Sequence, residues 1–276
     1  MHVLGVLDGG AGADPLERTV DRLVDALSRR GRVGVVRYDA TIADGTAAFG
    51  ESAARAGGDV TYALGADGDW SACGTGLSVD DALASLATDC AYAVVVGLSP
   101  RRHPSVVVGD EDAADDALAT VDSPADLDAE AVADALDARD PYETLDSLVA
   151  RVKAAPGADR SGAIATFTGR VRAKDGPDDP RTESLEFEKY DGVADERLAA
   201  IREDLEAREG VHAVELHHRT GVVRDGEDIV FVVVLAGHRE EAFRTVEDGI
   251  NRLKDEVPLF KKEVTVEEEF WVHDRS

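Results

Sequence analysis

Six lysines punctuate a chain that otherwise takes its positive charge from arginine: Lys153, Lys174, Lys189, Lys254, Lys261 and Lys262. None precedes residue 153, and three crowd into the nine residues from 254 to 262. A lysine amine can lose its proton when desolvated whereas a guanidinium cannot, so this cluster of the rarer cation suggests proton transfer or anion handling. Three further segments carry candidates: FTGRVR at 167–172, HHRTG at 217–221 and AGHREEAF at 236–243. Arg172, His238 and Arg239 lie at strand or helix ends, where side chains and backbone donors can converge on an anion. Together with Lys254 and Lys261 they predict a site for a small negatively charged substrate, most simply a phosphate.

The elements that position these residues follow from periodicity. Positions 239, 243, 246, 250 and 254 put Arg239, Phe243, Val246, Ile250 and Lys254 on one helical stripe. Lys254 therefore extends an apolar face, with its stem covered and its amine partly desolvated, as a proton-transfer group needs. Pro258 ends that helix and turns Lys261 back toward the same cleft. Lys262 is read as a supporting charge, and His217, His218 and Arg219 are assigned to strand packing or the pocket edge.

At 276 residues the chain is long enough for two domains. With 57 acidic and 30 basic residues its formal charge is −27, and its acid-rich, lysine-poor surface resembles proteins that work in very high salt. That field excludes nonspecific nucleic-acid binding and attachment to an anionic membrane. No run of 18 apolar residues exists and MHVLGVLDGG has no charged leader, so a cytoplasmic location is expected. The two cysteines, Cys73 and Cys90, lack metal-ligand spacing and read as buried thiols; neither metal nor cofactor is expected.

Strands at 2–8, 32–38, 91–98 and 105–108 alternate with a helix over 15–29 and another around 127–136, which predicts a parallel α/β sheet over residues 1–140. From 110 to 140 there are twelve acidic residues against Arg139 alone, and helical periodicity stops near Asp140 and Pro141. Residues 141–276 predict an α+β domain: a helix from 145, strands at 162–172 and 184–190, a helix at 194–208, strands at 214–219 and 229–236 joined through Asp225-Gly226, a helix at 240–256 and a final strand at 264–272.

GVLDGGAGADPLE at 5–17 stands after the first strand and before the first helix, where a phosphate loop would stand. With AYAVVVGLSPRRHPSVVVGD at 91–110 it resembles the P-loop family of molybdopterin-guanine dinucleotide biosynthesis protein B. The loop's lysine and hydroxyl are replaced, in this reading by Asp14 and Pro15, which predicts a degenerate domain without NTP hydrolysis.

Over residues 143–275 the segments FTGRVR, HHRTG, AGHREEAF, LKDEVPLFKKE and FWVHDR, in that order, resemble the catalytic (large) subunit of molybdopterin synthase. The resemblance implies that domain's fold, with Lys254 and Lys261 catalytic and Arg172, His238 and Arg239 in the substrate pocket. It also implies Arg275 as an arginine contributed by a neighbouring subunit. The implied reaction adds two sulfurs to cyclic pyranopterin monophosphate (precursor Z), forming the dithiolene of molybdopterin. The second domain has no cysteine, and the family's sulfur donor is a small ubiquitin-like subunit with a thiocarboxylated Gly-Gly C-terminus; a homodimer within a heterotetramer is implied. The alternative is a binding or regulatory protein whose lysines are conjugation targets of the ubiquitin-like partner, with a first domain that binds a guanine nucleotide.

Overall fold

A computed structural model describes residues 1–38, 59–98, 103–109, 117–174, 176–190 and 192–265, and the backbone of 269–272. It divides into two compact units, Met1–Tyr142 and Glu143–Ser276.

In the first unit β1 (His2–Gly9) is followed by α1 (Ala13–Ser28), β2 (Val33–Arg37), β3 (Val60–Leu64), β4 (Trp70–Gly74), α2 (Val79–Leu86), β5 (Tyr92–Val96), β6 (Ser105–Gly109), β7 (Ala117–Val121) and α3 (Ala129–Asp137). The expected parallel sheet is present, in the order β2-β5-β1-β6-β7. Its central strands are largely apolar because helices cover both faces. Leu4 and Val6 of β1 pack with Val20, Leu23 and Leu27 of α1 and with α3, while the alternate Val3 packs with Leu83 of α2. The β3–β4 hairpin and α2 were not foreseen. Neither cysteine is fully buried as expected: Cys73 lies on the hairpin and Cys90 just before β5, both partly exposed.

The glycine loop turns at Gly10 and Gly12, whose φ values of 98° and 91° suit glycine. Helix α1 begins at Ala13, directly after the last loop glycine. A phosphate-loop lysine follows that glycine immediately, so its place belongs to Ala13 and the hydroxyl's to Asp14, one position earlier than the sequence reading put them. Neither residue is a cation. Asp8 Oδ1 accepts from the Gly10 and Gly12 amides, each at 3.0 Å, so a carboxylate of the chain itself engages the two donors.

The second unit contains α4 (Leu145–Lys153), β8 (Ala163–Arg170), β9 (Thr182–Lys189), α5 (Val193–Glu206), β10 (Val211–His218), β11 (Gly221–Arg224), β12 (Asp228–Ala236), α6 (Arg239–Glu256), β13 (Leu259–Thr265) and β14 (Glu269–Val272). They form two antiparallel sheets, β10-β12-β8 and β11-β9-β13-β14. Residues 230–236 of β12 are all buried because α5 and α6 cover one face and α4 the other. The turn at Asp225-Gly226 exists, but the chain reaches it through β11, which pairs with β9 in the other sheet. Residues 264–272 are likewise not one strand: β13 and β14 form an antiparallel pair.

Ile201 of α5 is fully buried against this core and does not line the pocket described below. Ile201→Ala is expected to cost about 2–5 kcal/mol through lost burial and the cavity left behind. Native-state hydrogen exchange of the β12 amides measures it, and a loss below about 1 kcal/mol contradicts the packing described.

Candidate active site

The two sheets of the second unit and the last turn of α6 enclose a cavity of about 500 Å³. Lys254 reaches it from α6 and Lys261 from β13. Helix α6 ends at Glu256, Pro258 follows, and β13 starts at Leu259, so six residues carry the chain from one lysine to the other across a reversal. Among the described residues neither ammonium has an ion-pair or hydrogen-bond partner.

Strand alternation sorts the two adjacent lysines. Leu259, Lys261 and Glu263 line the cavity, while Phe260 and Lys262 point to the opposite face. Lys262 lies 4.0 Å from Glu186 on β9, a supporting charge outside the pocket. Lys261 pairs in register with Phe187 of β9, whose ring also lines the cavity. Glu263 accepts a hydrogen bond of 2.5 Å from the Thr182 hydroxyl, holding its carboxylate on the wall beside Lys261.

Arg172, just beyond β8, also lines the cavity, as does Arg170. Arg170 donates to the Gly226 carbonyl and lies 3.5 Å from Asp228. The pocket thus gathers Arg172, Lys254 and Lys261 as expected, and adds Arg170.

His238 and Arg239 are elsewhere. They stand exposed at the N-terminus of α6, and the fifteen residue steps from Arg239 to Lys254 span about 22 Å of helix. The expected convergence of all five residues does not occur within one chain, because a continuous helix holds its two ends apart. Arg275 lies outside the described residues. The stripe that was to shield Lys254 also differs. The buried positions of α6 are Ala242, Thr245, Val246, Gly249, Ile250 and Leu253, while Phe243 is 66% exposed and Lys254 is exposed. Lys254 is therefore not desolvated in the single chain.

His218, at the end of β10, lines the cavity, the pocket-edge place that the sequence offered as one of its two alternatives. Its Nδ1 lies 2.8 Å from the Arg219 carbonyl oxygen, and Phe187 packs edge-on against its ring at 4.8 Å. Burial pushes the imidazole down to about 4, opposed by the Arg219 carbonyl, which favours the protonated form. HHRTG announced polar residues at a strand end, but not which histidine faces inward. Glu263 shares a face with Lys261 through their two-residue offset, a signal that the expected strand at 264–272 missed because β13 begins at Leu259; Thr182 carries no local signal.

The sequence matches known proteins. The sequence model of the MoaE protein family matches residues 139–256. A probable molybdopterin synthase from Haloferax volcanii is 50% identical over 275 residues, covering 100% of both chains. The chain belongs to the molybdopterin synthase family. It is an enzyme of molybdenum cofactor biosynthesis, of the catalytic-subunit type. The molybdopterin synthase catalytic subunit of Yersinia pestis is 38% identical over 118 residues, 43% of this chain and 77% of that one. The Haloferax match extends across both units. Among solved structures, a MobB protein homolog from Bacillus stearothermophilus aligns with 50% of this chain and 100% of its own at 21% identity and a TM-score of 0.37. The parallel sheet of the first unit rests on its own strand register, not on that likeness.

The neutral state of His218 has a consequence for stability. The unfolded imidazole binds its proton near pH 6.5 and the folded one only near 4. Between those values the unfolded state holds more protons, so stability falls as pH drops through this window, by at most about 3 kcal/mol. His218→Gln removes this component. The stability difference, wild type minus variant, is expected to shift against the wild type from about pH 7 to about pH 4.5. A pH-independent difference contradicts the assignment.

Proposed function

We propose that the second unit transfers sulfur from the thiocarboxylated C-terminus of a small ubiquitin-like subunit to cyclic pyranopterin monophosphate, forming the molybdopterin dithiolene. The observation that carries this reading is the pair of unpartnered ammoniums of Lys254 and Lys261 facing one cavity in a chain of formal charge −27. In so acidic a protein, cations left without carboxylate partners suit an anionic ligand. Both cysteines lie before residue 143, so this unit must receive its sulfur from outside.

In this reading the donor's tail enters beside Lys254 and Lys261, and Arg172 holds the monophosphate. The thiocarboxylate sulfur is the nucleophile. It attacks a side-chain carbon of the pterin with departure of oxygen, and water then cleaves the resulting thioester, leaving the sulfur on the pterin and a carboxylate on the tail. The two lysines stabilise the negative charge that develops on the departing oxygen and on the acyl oxygen, the role of preorganised cations in a partly enclosed site. A tail covering Lys254 would supply the desolvation that the single chain lacks. His238 and Arg239 serve a substrate pocket only if a second copy brings them to it, which fits a homodimer within a heterotetramer, with Arg275 also supplied by the neighbour.

Mixing this chain, its thiocarboxylated partner and the precursor is expected to yield molybdopterin. Lys254→Ala should lower turnover by at least about a hundredfold, the scale of losing one charge-stabilising group. Normal product formation by that variant sinks the catalytic assignment. Mass spectrometry of peptides spanning 253–262 in fully active protein should find unmodified lysines. Isopeptide-linked lysines that appear as activity is lost favour the regulatory alternative.

For the first unit we infer a scaffold that does not bind nucleotide. Its loop has Ala13 and Asp14 where a lysine and a hydroxyl are needed, and Asp8 engages two of its amides. Calorimetry with GTP and Mg²⁺ in high salt should give no binding heat, and saturable heat overturns the inference.

A further inference from the structure

The His218 ring is fixed on two sides. The Arg219 carbonyl can only accept, so the nitrogen 2.8 Å from it, Nδ1, carries the hydrogen, and Nε2 of the neutral ring keeps its lone pair. Phe187, at 74° to the ring, holds its tilt, and Phe187 is itself the register partner of Lys261. Nε2 has no partner among the described residues and is not sealed from solvent, and the ring lines the same cavity as Lys254 and Lys261. The charged donors around it are Arg170, Arg172, Lys254 and Lys261. Of the other acceptors on the wall, Glu263 is engaged by Thr182, and Asp255 has a partner of its own. His218 is thus an uncharged, preoriented acceptor in a pocket whose other side-chain acceptors include the charged carboxylates of Glu263 and Asp255, each already engaged.

We propose that His218 is a specificity-determining residue, its Nε2 accepting a hydrogen bond from a ring N–H or exocyclic amine of the fused nitrogen heterocycle whose anionic group the cations hold. This rests on reading the cavity as the sulfur-transfer site. The depressed basicity of the ring keeps it an acceptor at neutral pH. A second protonated nitrogen would instead place a donor against the ligand's donors. Cations alone cannot tell one phosphorylated ring from another; a fixed acceptor can, because a ligand lacking the matching N–H leaves it unpaired.

The test measures equilibrium binding of cyclic pyranopterin monophosphate without the sulfur donor, and its conversion with the donor present. His218→Phe keeps a flat ring against Phe187 and removes the acceptor. It should raise Kd about tenfold, equivalent to about 1.4 kcal/mol, at an unchanged melting temperature. His218→Gln, which can present an amide oxygen, should stay within about threefold of wild type. If wild type converts the precursor and His218→Phe binds it as tightly as wild type, the role of His218 is overturned. If wild type fails to convert it, the reading of the site fails instead. Nitrogen-15 NMR of the wild-type protein supplies a readout independent of the variants' folding. An unprotonated Nε2 whose resonance moves on adding precursor supports the proposal. A protonated Nε2, or one that does not move, overturns it.

Discussion

Everything at the candidate site depends on how α6 lies on β12. Ala242, Val246, Ile250 and Leu253 are buried against Val230, Val232 and Val234, and Gly249 lets the helix come so near that a Cβ there would sit 3.0 Å from Val232. This apolar contact fixes the end of the helix, and with it Lys254. Because Pro258 forbids further helix, the chain reverses into β13, whose pairing with β9 places Lys261 opposite Phe187. Two cations on different elements reach one cavity through an uncharged packing arrangement that charge variation leaves untouched.

The second constraint is electrostatic. Carboxylates elsewhere collect the basic side chains, as where Glu130, Asp134 and Asp137 surround Arg30 or Asp204 and Glu256 hold Arg252. Such exposed pairs contribute little stability. They show how carboxylates take up basic side chains here, whereas among the described residues Lys254 and Lys261 face the cavity without one. High salt would screen the long-range repulsion between surface acids while leaving short contacts inside the cavity effective.

Helix α6 was legible nearly to the residue, since a 3.6-residue pattern, a following Pro258 and the preceding apolar strand all agree. Which face it buries was legible only in part, through Val246 and Ile250. Counting large apolar residues selected Phe243 and carried the stripe to Lys254, whereas the packed side runs through Ala242, Thr245 and Gly249, whose small size permits close approach but scores poorly as hydrophobicity. Lys254 and Lys261 were found because composition made them rare. His238 and Arg239 were grouped with them as residues at element ends, and Arg239 as one of the same stripe, but neither signal takes account of the distance along a helix. The extra strand β11 escaped because four residues leading into Asp225-Gly226 look like the arm of a local hairpin, and only long-range pairing with β9 reveals their sheet. His218 and Thr182 depend on contacts between segments far apart in sequence, which no local pattern encodes.

The central claim is that Lys254 and Lys261 together receive the sulfur donor's tail. The most direct measurement is a structure of this chain with the small partner's C-terminal tail bound. The account predicts the terminal acyl group in the cavity, within hydrogen-bonding distance of both ammoniums, with Lys254 covered by the tail. A tail seated elsewhere, or one that enters the cavity and contacts neither lysine, contradicts it.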